Sequence, residues 1–511
     1  MTDAAPGSEN GLPPGAAESL MRVVTAARWF AGKGRRAELR SFTPLPWLND
    51  PPAQGSPEVP RVRLAVLEVA YPDEGGTRAG DGGAGDTASG VEHYQLALAH
   101  RRDRVPTGVA GAATELYADG DSVVYDATQD VDGARVLLQS LLASQEVAAD
   151  DGSQISSVRF HLRDRAGLTP DLEPQVFRGQ QSNTSVMFGD VAMLKLFRRL
   201  ELGRNLDITV HAALNDAGMT DVARLFGSVE GTWNRDGQVL GADLAMCVEK
   251  LADAVDGWDL ALASLEADTR GTGRAPSAPG TDGDSGFTAH AQALGRALAE
   301  VHAVLRTAFG TTGQAGSTVA ATMTQRLDAA TAVAPALAPY VDGLRDRFAA
   351  LTGAELDAQR VHGDFHLGQT LHTPSGWKII DFEGEPAKTL AERVAPDSVW
   401  RDVAGMMRSF DYAAASVPGA GSSSRAWRDA CRDAFLEGYM GGAGLGADDA
   451  GLLAAYEADK AVYEVVYEVR NRPDWVGIPL GAVAVLAAPP GSGPDPHDLH
   501  DPRGSHMEEL A

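Results

Sequence analysis

Apolar and polar residues alternate in short runs over the first part of the chain. The runs over residues 61–71 and 91–101 have the two-residue period of β-strands, and the Gly- and Asp-rich stretch between them has nothing to bury. They predict a hairpin with an inserted loop, and the apolar period over 133–143 predicts a helix after it. We therefore expect a small α+β unit over residues 18–150. The Gly- and Pro-rich segment before it, residues 1–17, is typical of disorder.

A second β-rich region follows. Residues 206–218 have the period of a single helix, which Gly218 ends. The strand-like runs around this helix are apolar and β-branched, and they cover residues 158–163, 175–189, 190–198, 222–230 and 244–251. Together they predict a five-stranded antiparallel sheet with one helix packed on it, over residues 151–252.

Further along the chain the apolar period lengthens to that of helices. The predicted helices cover residues 287–309, 317–333, 337–353, 395–416, 425–440 and 447–470. Between two of them, residues 360–386 predict two short strands joined by a turn and flanked by loops. We expect a linker with a flexible insertion over 253–286, a helical domain over 287–488 and a disordered tail over 489–511. The pattern as a whole predicts an α+β chain in two lobes, the first β-rich and the second helical.

The composition narrows the classes of function. The 511 residues include 44 Lys and Arg against 70 Asp and Glu, a net charge of −26, which argues against binding to a nucleic-acid backbone or an anionic membrane. Two cysteines, Cys247 and Cys431, are too few for a disulfide framework or a four-thiolate zinc site. The N-terminus lacks the basic and apolar regions of a signal peptide, and no apolar run is long enough to span a membrane. We therefore expect a cytoplasmic protein without nucleic-acid or membrane partners.

The strongest chemical signal lies in two neighbouring acidic segments. They are HGDFHLGQ, residues 362–369, and IDFEGEP, residues 380–386. Phosphoryl transfer needs a carboxylate that orients and deprotonates the acceptor hydroxyl, and hard oxygen ligands that hold Mg²⁺ against the phosphates. Asp364 has the position of that carboxylate. Gln369 and Asp381, brought together by the turn between them, supply oxygens for the metal, and Glu383 could serve a second ion. Either segment alone is typical of a solvated turn, whereas the two together favour a site.

These two segments resemble the catalytic and metal-binding loops of the aminoglycoside phosphotransferase-like kinases, a family related to the protein kinases. Further segments resemble the maltokinases within that family, and they include RWFAGKGR (28–35), GQQSNTSVMFGDVAMLKLFRR (179–199), LGRALAEVH (294–302), RDVAGMMRSFDYAA (401–414) and YEADKAVYEVVYEVRNRPDW (456–475). The resemblance implies a bilobal, protein-kinase-like fold with an extra N-terminal cap subdomain. It also implies ATP and Mg²⁺ as cofactors and the phosphorylation of maltose at C1, on the route from trehalose to glycogen and related α-glucans.

The same resemblance assigns an ATP site to the second β-rich region. Lys195 lies on a strand between apolar neighbours and would reach the α- and β-phosphates. The polar turn before that strand would cover the phosphates, and its residues are Gln181, Ser182, Asn183, Thr184 and Ser185. Glu249 and Lys250 would form the hinge that holds the adenine. Neither a GxGxxG nor a GxxxxGK[ST] motif is present, so this phosphate loop depends on the resemblance.

One departure from the family pattern concerns the partner of Lys195. Maltokinases carry a glutamate in the helix after the lysine strand, and that glutamate pairs with the lysine. The aligned residue in this chain is Thr209. Asp207 is the alternative, although it lies on a different face of the helix from Thr209. The sequence leaves the partner of the lysine open.

The predicted helix 447–470 and the segment after it favour a sugar site. Tyr456, Asp459, Tyr463 and Tyr467 would share one side of the helix, and sugar sites combine aromatic rings with carboxylates and amides. For any single tyrosine, burial against a neighbouring helix is the alternative. The residues expected to bind the substrate are His366, Arg408, Asp411, Tyr463, Tyr467, Glu468, Asn471, Arg472 and Trp475.

Three functions stay open from the sequence. The first is an ATP-dependent maltose kinase. The second is a kinase of glucosamine, another aminosugar or an aminoglycoside, for which the Asp and Glu residues over 457–474 could face the substrate ammonium. The third is a non-catalytic kinase-like binding protein, which would explain Thr209 but has no chemical need for the catalytic, metal and lysine positions together. The sequence does not decide between a monomer and a homodimer.

Overall fold

The structure of the protein is a computed structural model. It describes residues 11–51, 59–72, 90–102, 114–150, 155–177, 183–269, 286–385, 388–417 and 421–488. The chain forms two compact units. The first unit comprises Met1–Asn215, Ala223–Ala252 and Pro386–Arg393, and the second comprises Asp216–Val222, Asp253–Glu385 and Val394–Ala511.

The first unit begins with a helix and a sheet. They are formed by α1 (Ala16–Ala26), β1 (Glu38–Trp47), β2 (Arg61–Ala70), β3 (Val91–Arg101), β4 (Glu115–Asp119) and β5 (Ser122–Asp126). The strand order is β1-β2-β3-β5-β4. The antiparallel pairing of β2 with β3, from Arg61↔His100 to Ala70↔Val91, confirms the predicted hairpin. The expected disorder of residues 1–17 is wrong over its described part, because Leu12 is buried in the core beside Leu20 and α1 already begins at Ala16.

A second sheet completes the first unit. Its elements are α2 (Val131–Leu142), β6 (Glu146–Asp150), β7 (Ile155–Leu162), β8 (Pro174–Val176), β9 (Thr184–Phe188), β10 (Ala192–Leu196), β11 (Arg199–Leu200), α3 (Leu206–Asp216), β12 (Leu225–Arg235) and β13 (Gln238–Glu249). The strand order β6-β7-β12-β13-β10-β9-β8 makes seven strands among the described residues, so the prediction of five is wrong. The run 175–189 folds back on itself as β8 and β9, and the short β6 pairs with β7. The expected domain division at residue 150 therefore falls inside a hairpin.

The strand that carries Lys195 lies inside this second sheet. β10 pairs with β9 on one side and β13 on the other, which places Lys195 opposite Ser185 and Met246. The next strand, β11, leaves this sheet and pairs with β3 of the first sheet, with Arg199 opposite Tyr94. One short stretch of chain thus connects the two sheets of the first unit directly.

The second unit is helical with two small sheets. Its helices are α4 (Gly257–Thr269), α5 (Phe287–Phe309), α6 (Gly316–Val333), α7 (Val341–Ala349), α9 (Trp400–Ser416), α10 (Gly421–Tyr439), α11 (Ala447–Asn471) and α12 (Gly477–Ala487), and α8 (Leu390–Val394) ends where this unit resumes. Its strands are β14 (Val255–Asp256), β15 (Thr311–Ala315), β16 (Glu355–Gln359), β17 (Thr370–Thr373) and β18 (Gly376–Ile379). Helices α5 and α10 approach so closely that a Cβ on Gly295 would lie 2.1 Å from the carbonyl oxygen of Phe435.

Two predictions for this unit need correction. The expected linker over 253–286 is ordered up to Thr269, where β14 and α4 stand, and residues 270–285 lie outside the described part of the chain. The helix expected over 337–353 is a 3₁₀ turn followed by α7, because Pro339 interrupts the regular hydrogen bonding. The tail over 489–511 also lies outside the described residues. Among the described helices, none is both long enough and apolar enough to cross a membrane.

Candidate active site

A buried carboxylate fixes the loop that carries Asp364. Asp402, on α9, accepts hydrogen bonds from the backbone N–H of His362 at 2.7 Å and of Gly363 at 2.8 Å. Gly363 has φ +86°, a conformation in which glycine avoids the strain of a side chain. Burial alone would favour the neutral acid, but the hydrogen bond from His302 at 2.9 Å and its charge hold the pKa of Asp402 below its usual value. The loop is thereby anchored to an ionised group.

The His362 ring connects this loop to the second acidic segment. Its Nδ1 accepts the backbone N–H of Asp364 at 3.3 Å, so the proton stands on Nε2, which lies 2.9 Å from the carbonyl oxygen of Ile380. The residue after Ile380 is the predicted metal ligand Asp381. His362 therefore fixes the two loops to each other.

A lysine that the sequence analysis did not assign lies beside Asp364. Lys460 on α11 places its Nζ 3.3 Å from Oδ1 of Asp364. The side chains of Lys460 and Asp364 are 21% and 18% exposed. Burial disfavours the charged carboxylate, but the ammonium of Lys460 outweighs it and holds the pKa of Asp364 below its usual value. Asp364 is therefore ionised at neutral pH. Lys460 lies 96 residues from Asp364 in the sequence, so no local pattern predicts their contact. The one sequence signal for Lys460 is that it belongs to the YEADK segment, which resembles maltokinases.

The predicted metal ligands meet at the base of a hairpin. β17 and β18 pair antiparallel from Thr370↔Ile379 to Thr373↔Gly376, and this pairing brings Gln369 Nε2 to 3.5 Å from Asp381 Oδ2. Oxygen atoms of Asp381 and Glu383 lie within 4.8 Å of each other. Asp381 adopts φ +66°, a left-handed conformation that Asp tolerates better than most side chains and that often marks functional sites. The turn thus places the amide group of Gln369 beside the carboxylates of Asp381 and Glu383.

In the first unit, Lys195 has a carboxylate partner. Its Nζ lies 3.2 Å from Oδ2 of Asp207, whose side chain is 4% exposed. His211, one turn further along α3, contacts the other carboxylate oxygen at 2.9 Å. Thr209 instead donates its hydroxyl back to the carbonyl oxygen of Asn205 at 2.8 Å. The structure therefore answers the open question in favour of Asp207.

The other residues expected at the ATP site mostly contact protein groups. Thr184 Oγ1 accepts from Nε of Arg198 at 2.7 Å, and Asn183 Oδ1 accepts its backbone N–H at 3.3 Å. Ser185 is buried. Lys250 pairs with Asp190 at 2.6 Å, and Glu249 accepts the N–H of Arg224 at 3.2 Å. The backbone N–H groups of Glu249 and Lys250 donate to the carbonyl oxygens of Arg224 and Val191. Gln181 and Ser182 lie outside the described residues.

The residues expected to bind the substrate divide into two groups. Near Asp364 lie His366, with Nε2 at 3.9 Å from Oδ2, and Tyr463, whose ring centroid is 5.1 Å from Lys460 Nζ. Further along α11 the tyrosine rings of Tyr463 and Tyr467 stack with centroids 6.4 Å apart. The remaining members of this group form their own cluster: Asn471 donates to the carbonyl oxygen of Tyr467, and Arg472 contacts Glu468, Tyr467 and Trp475.

The second group corrects a prediction. Arg408 is 1% exposed, and its guanidinium pairs with Glu464 at 2.8 Å and Asp411 at 2.5 Å. Together with Asp411 it lines a cavity that shares no residue with the small cavity around Asp364. Arg408 and Asp411 therefore do not line the small cavity beside Asp364, and their mutual ion pair lies at the other cavity.

Comparison with known proteins identifies the class. The phosphotransferase enzyme family model matches residues 266–449, and the maltokinase N-terminal cap domain model matches residues 24–130. A glucosamine kinase of Streptacidiphilus jiangxiensis is 33% identical over 344 residues, 63% of this chain and 75% of the relative. A glucosamine kinase of Mycolicibacterium smegmatis is 26% identical over 322 residues, 60% of this chain and 77% of the relative. The chain belongs to the phosphotransferase enzyme family, as a maltokinase-like member of the aminoglycoside phosphotransferase superfamily.

Solved structures support the fold. A glucosamine kinase in complex with glucosamine, ADP and inorganic phosphate is similar with TM-score 0.58 and 22% identity, over 92% of this chain and 98% of that chain. Another crystal form of a glucosamine kinase gives TM-score 0.61 and 24% identity, over 90% and 97% of the two chains. The predicted α+β, kinase-like fold with a β-rich first part and a helical second part is thereby confirmed.

Proposed function

We propose that the protein transfers the γ-phosphoryl group of ATP to a sugar hydroxyl, and that its acceptor is maltose, phosphorylated at C1. The observation that carries the proposal is an ionised carboxylate, Asp364, held on a fixed loop beside a cation and tied through His362 to the turn that presents Gln369 and Asp381. An exposed acidic turn without function would need neither the buried anchor Asp402 nor the partner Lys460.

Each residue has a defined part in the proposed reaction. Asp364 accepts a hydrogen bond from the anomeric hydroxyl, orients its oxygen towards the γ-phosphorus and takes its proton as the O–P bond forms. The bond between the γ-phosphorus and the β,γ-bridging oxygen breaks, and ADP leaves with that oxygen. Lys195, steadied by Asp207, neutralises charge on the α- and β-phosphates. Lys460 keeps Asp364 ionised before the acceptor arrives.

The residues that flank the 370–380 hairpin fit a magnesium ion. Mg²⁺ prefers carboxylate and amide oxygens and usually shares its coordination with waters and substrate phosphates. Asp381 offers such oxygens, Gln369 would offer its amide oxygen in place of its present hydrogen bond to Asp381, and Glu383 stands close enough to serve directly or through water. When bound, the ion would neutralise charge on the phosphates and hold them in place for transfer.

Two observations bear on the acceptor. The maltokinase cap domain favours maltose, whereas the curated relatives are named glucosamine kinases. The ammonium of Lys460 next to Asp364 favours a neutral hydroxyl at this point, because an ammonium on the neighbouring sugar carbon would be repelled. Glucosamine is the second candidate, supported by those relatives.

An acceptor screen tests the proposal. Purified protein with ATP and Mg²⁺ is assayed for ADP release with maltose, glucosamine, glucose and trehalose, and products are identified by phosphorus NMR. We expect the highest kcat/KM with maltose and a product phosphorylated at C1. A preference for glucosamine would replace the acceptor but keep the sugar kinase. ATP turnover with none of these sugars would contradict the proposal and favour a binding protein, whose ATP affinity Asp364→Ala would leave unchanged.

The cellular setting is part of the same proposal. A cytoplasmic location is supported by the two cysteines, which are both free and buried, with burial raising the pKa of the Cys247 thiol to about 12. The net charge of −26 supports a protein whose partners are ATP and a sugar and not a nucleic acid or an anionic membrane.

A further inference from the structure

A cavity in the described part of the second unit lies away from Asp364. Its volume is about 320 Å³, at the lower end of the range for small-molecule sites. Helices α9, α10 and α11 supply one wall and α12 supplies the other. The α12 wall is aliphatic and includes Ile478, Ala482, Val485 and Leu486. A ligand here would need an apolar face on one side and polar groups on the other.

The polar wall is electrically balanced. The cavity lining contains three guanidinium groups and three carboxylates, namely Arg408, Arg428, Arg432, Asp411, Asp429 and Glu457. A charged ligand would add an uncompensated charge to this balanced and partly buried set, which costs free energy. The balance therefore favours a neutral ligand.

The polar wall also retains unused hydrogen-bonding capacity. Arg432 directs Nη2 to both oxygens of Glu457, at 2.9 and 3.0 Å, while its Nη1 remains 3.7 Å from Asp411. Arg428 bonds to Asp429 at 2.8 Å and stays 3.8 Å from Asp411. Both distances to Asp411 are too long for a hydrogen bond. A group that donates to Asp411 and accepts from an arginine would fill these gaps, and a hydroxyl does both.

We propose that this cavity is a second, non-catalytic binding site for a small neutral polyhydroxylated ring, such as a monosaccharide or a cyclitol. The hydroxyls bind between Asp411 and the two arginines of α10, and the C–H face of the ring lies against α12. The site is independent of the acceptor site, because its lining shares no residue with the cavity around Asp364. The proposal does not depend on which sugar is phosphorylated.

Binding without nucleotide tests the site. The probe is methyl α-D-glucopyranoside, which has no free anomeric hydroxyl and cannot be phosphorylated at C1, and its affinity is measured by saturation-transfer NMR titration. Ala482→Phe fills the cavity, and Arg428→Met removes the donors but keeps an unbranched stem. We expect saturable binding to the unmodified chain and, in each variant, an association constant at least about tenfold lower.

Matched controls locate the binding. Arg345→Met removes an exposed arginine that pairs with Asp328 outside the cavity, and Asp364→Asn alters the acceptor site. Both should leave the affinity for the probe within about twofold. Glucuronate and glucosamine, which carry a charge on the same ring, should bind more weakly than the neutral probe. Thermal melting of each variant checks that it is folded.

Several outcomes would overturn the proposal. They are the absence of saturable binding, tighter binding of either charged ring, and binding that Asp364→Asn abolishes while Ala482→Phe leaves it intact. The last result would assign the probe to the acceptor site. Because no ATP is present, none of these outcomes depends on whether the sugar kinase proposal is correct.

Discussion

Each of the two units contains a lysine–aspartate pair, and the two pairs differ in which member we expect to act in the reaction. In the first unit, Lys195 lies 3.2 Å from Asp207, and the carboxylate is the more buried partner, 4% exposed against 16% for the lysine. In the second unit, Lys460 lies 3.3 Å from Asp364, and both retain similar exposure. In the proposed reaction the lysine acts in the first pair and the aspartate acts in the second.

The difference lies in what holds the supporting member of each pair. Asp207 is bound on its second oxygen by His211, so the carboxylate is fixed and in turn positions the amine of Lys195 for the phosphates of the proposed reaction. Asp364 is fixed through its backbone, by the bonds of Asp402 and His362 to its loop, so its carboxylate stays available for a hydroxyl. The same ion pair can therefore present a cation or a base, depending on which partner the surroundings immobilise.

Removal of the base should lower the activity more than any other single substitution. Asp364→Asn keeps the shape of the side chain and its hydrogen bonding but cannot accept the proton, so kcat should fall by about 10³-fold. The KM for ATP should change little, because the loop is held by other groups. Steady-state kinetics with the best acceptor of the screen measures both constants. An activity within about tenfold of the unmodified chain would show that another group takes the proton.

Substitutions in the Lys195–Asp207 pair should lower kcat/KM for ATP to different extents. Lys195→Met should lower kcat/KM for ATP by about 10²-fold, since one cation on the phosphates is lost. Asp207→Asn should cost about tenfold, because the lysine remains but loses its charged partner. Lys33→Met, at an exposed lysine of the same unit, is the matched control and should have no effect. Equal losses in the Lys195 and Asp207 variants would mean that the pair works only as a unit.

The second pair predicts a shift in pH dependence. The pKa of Asp364 is held down against the effect of burial mainly by Lys460, so Lys460→Met should raise it. The base would then be protonated at a higher pH, and the acidic limb of the kcat/KM profile should move to higher pH, with a loss of about tenfold below neutrality. Lys460→Arg should restore the limb. An unchanged limb with reduced kcat would assign Lys460 to substrate contact instead.

The sequence predicted the helices and strands well where a clear apolar period continued over a long run of residues. β2, β3 and α11 follow from clear two-residue or helical periods, and their bounds differ from the predicted ones by one residue at most. The α12 helix was missed because it is apolar on nearly every side and contains Pro479 and Gly481, so no amphipathic stripe marks it. The short strand β6 was missed because its pairing with β7, and not its own sequence, makes it a strand.

The candidate site shows the same limit. Asp364, Gln369 and Asp381 could be predicted because they lie in contiguous motifs joined by one hairpin. The contacts of Asp402 and Lys460 could not be predicted, because they join segments that are far apart in the sequence. Arg408 and Asp411 were placed at the sugar because nothing in the sequence shows which side of a helix faces which cavity.

The smallest change is expected for a substitution at Thr209, which tests whether Asp207 is the partner of Lys195. Residues 207 and 209 lie about 200° apart around α3, and the hydroxyl of Thr209 bonds back to its own helix. Thr209→Glu restores the residue that resembling kinases carry, yet Asp207 already occupies the amine of Lys195. We expect kcat/KM for ATP to change by no more than about twofold. In the Asp207→Asn background the same glutamate becomes informative: rescue of activity would mean that α3 can rotate to offer position 209, and no rescue would show that the helix phase fixes Asp207 as the partner.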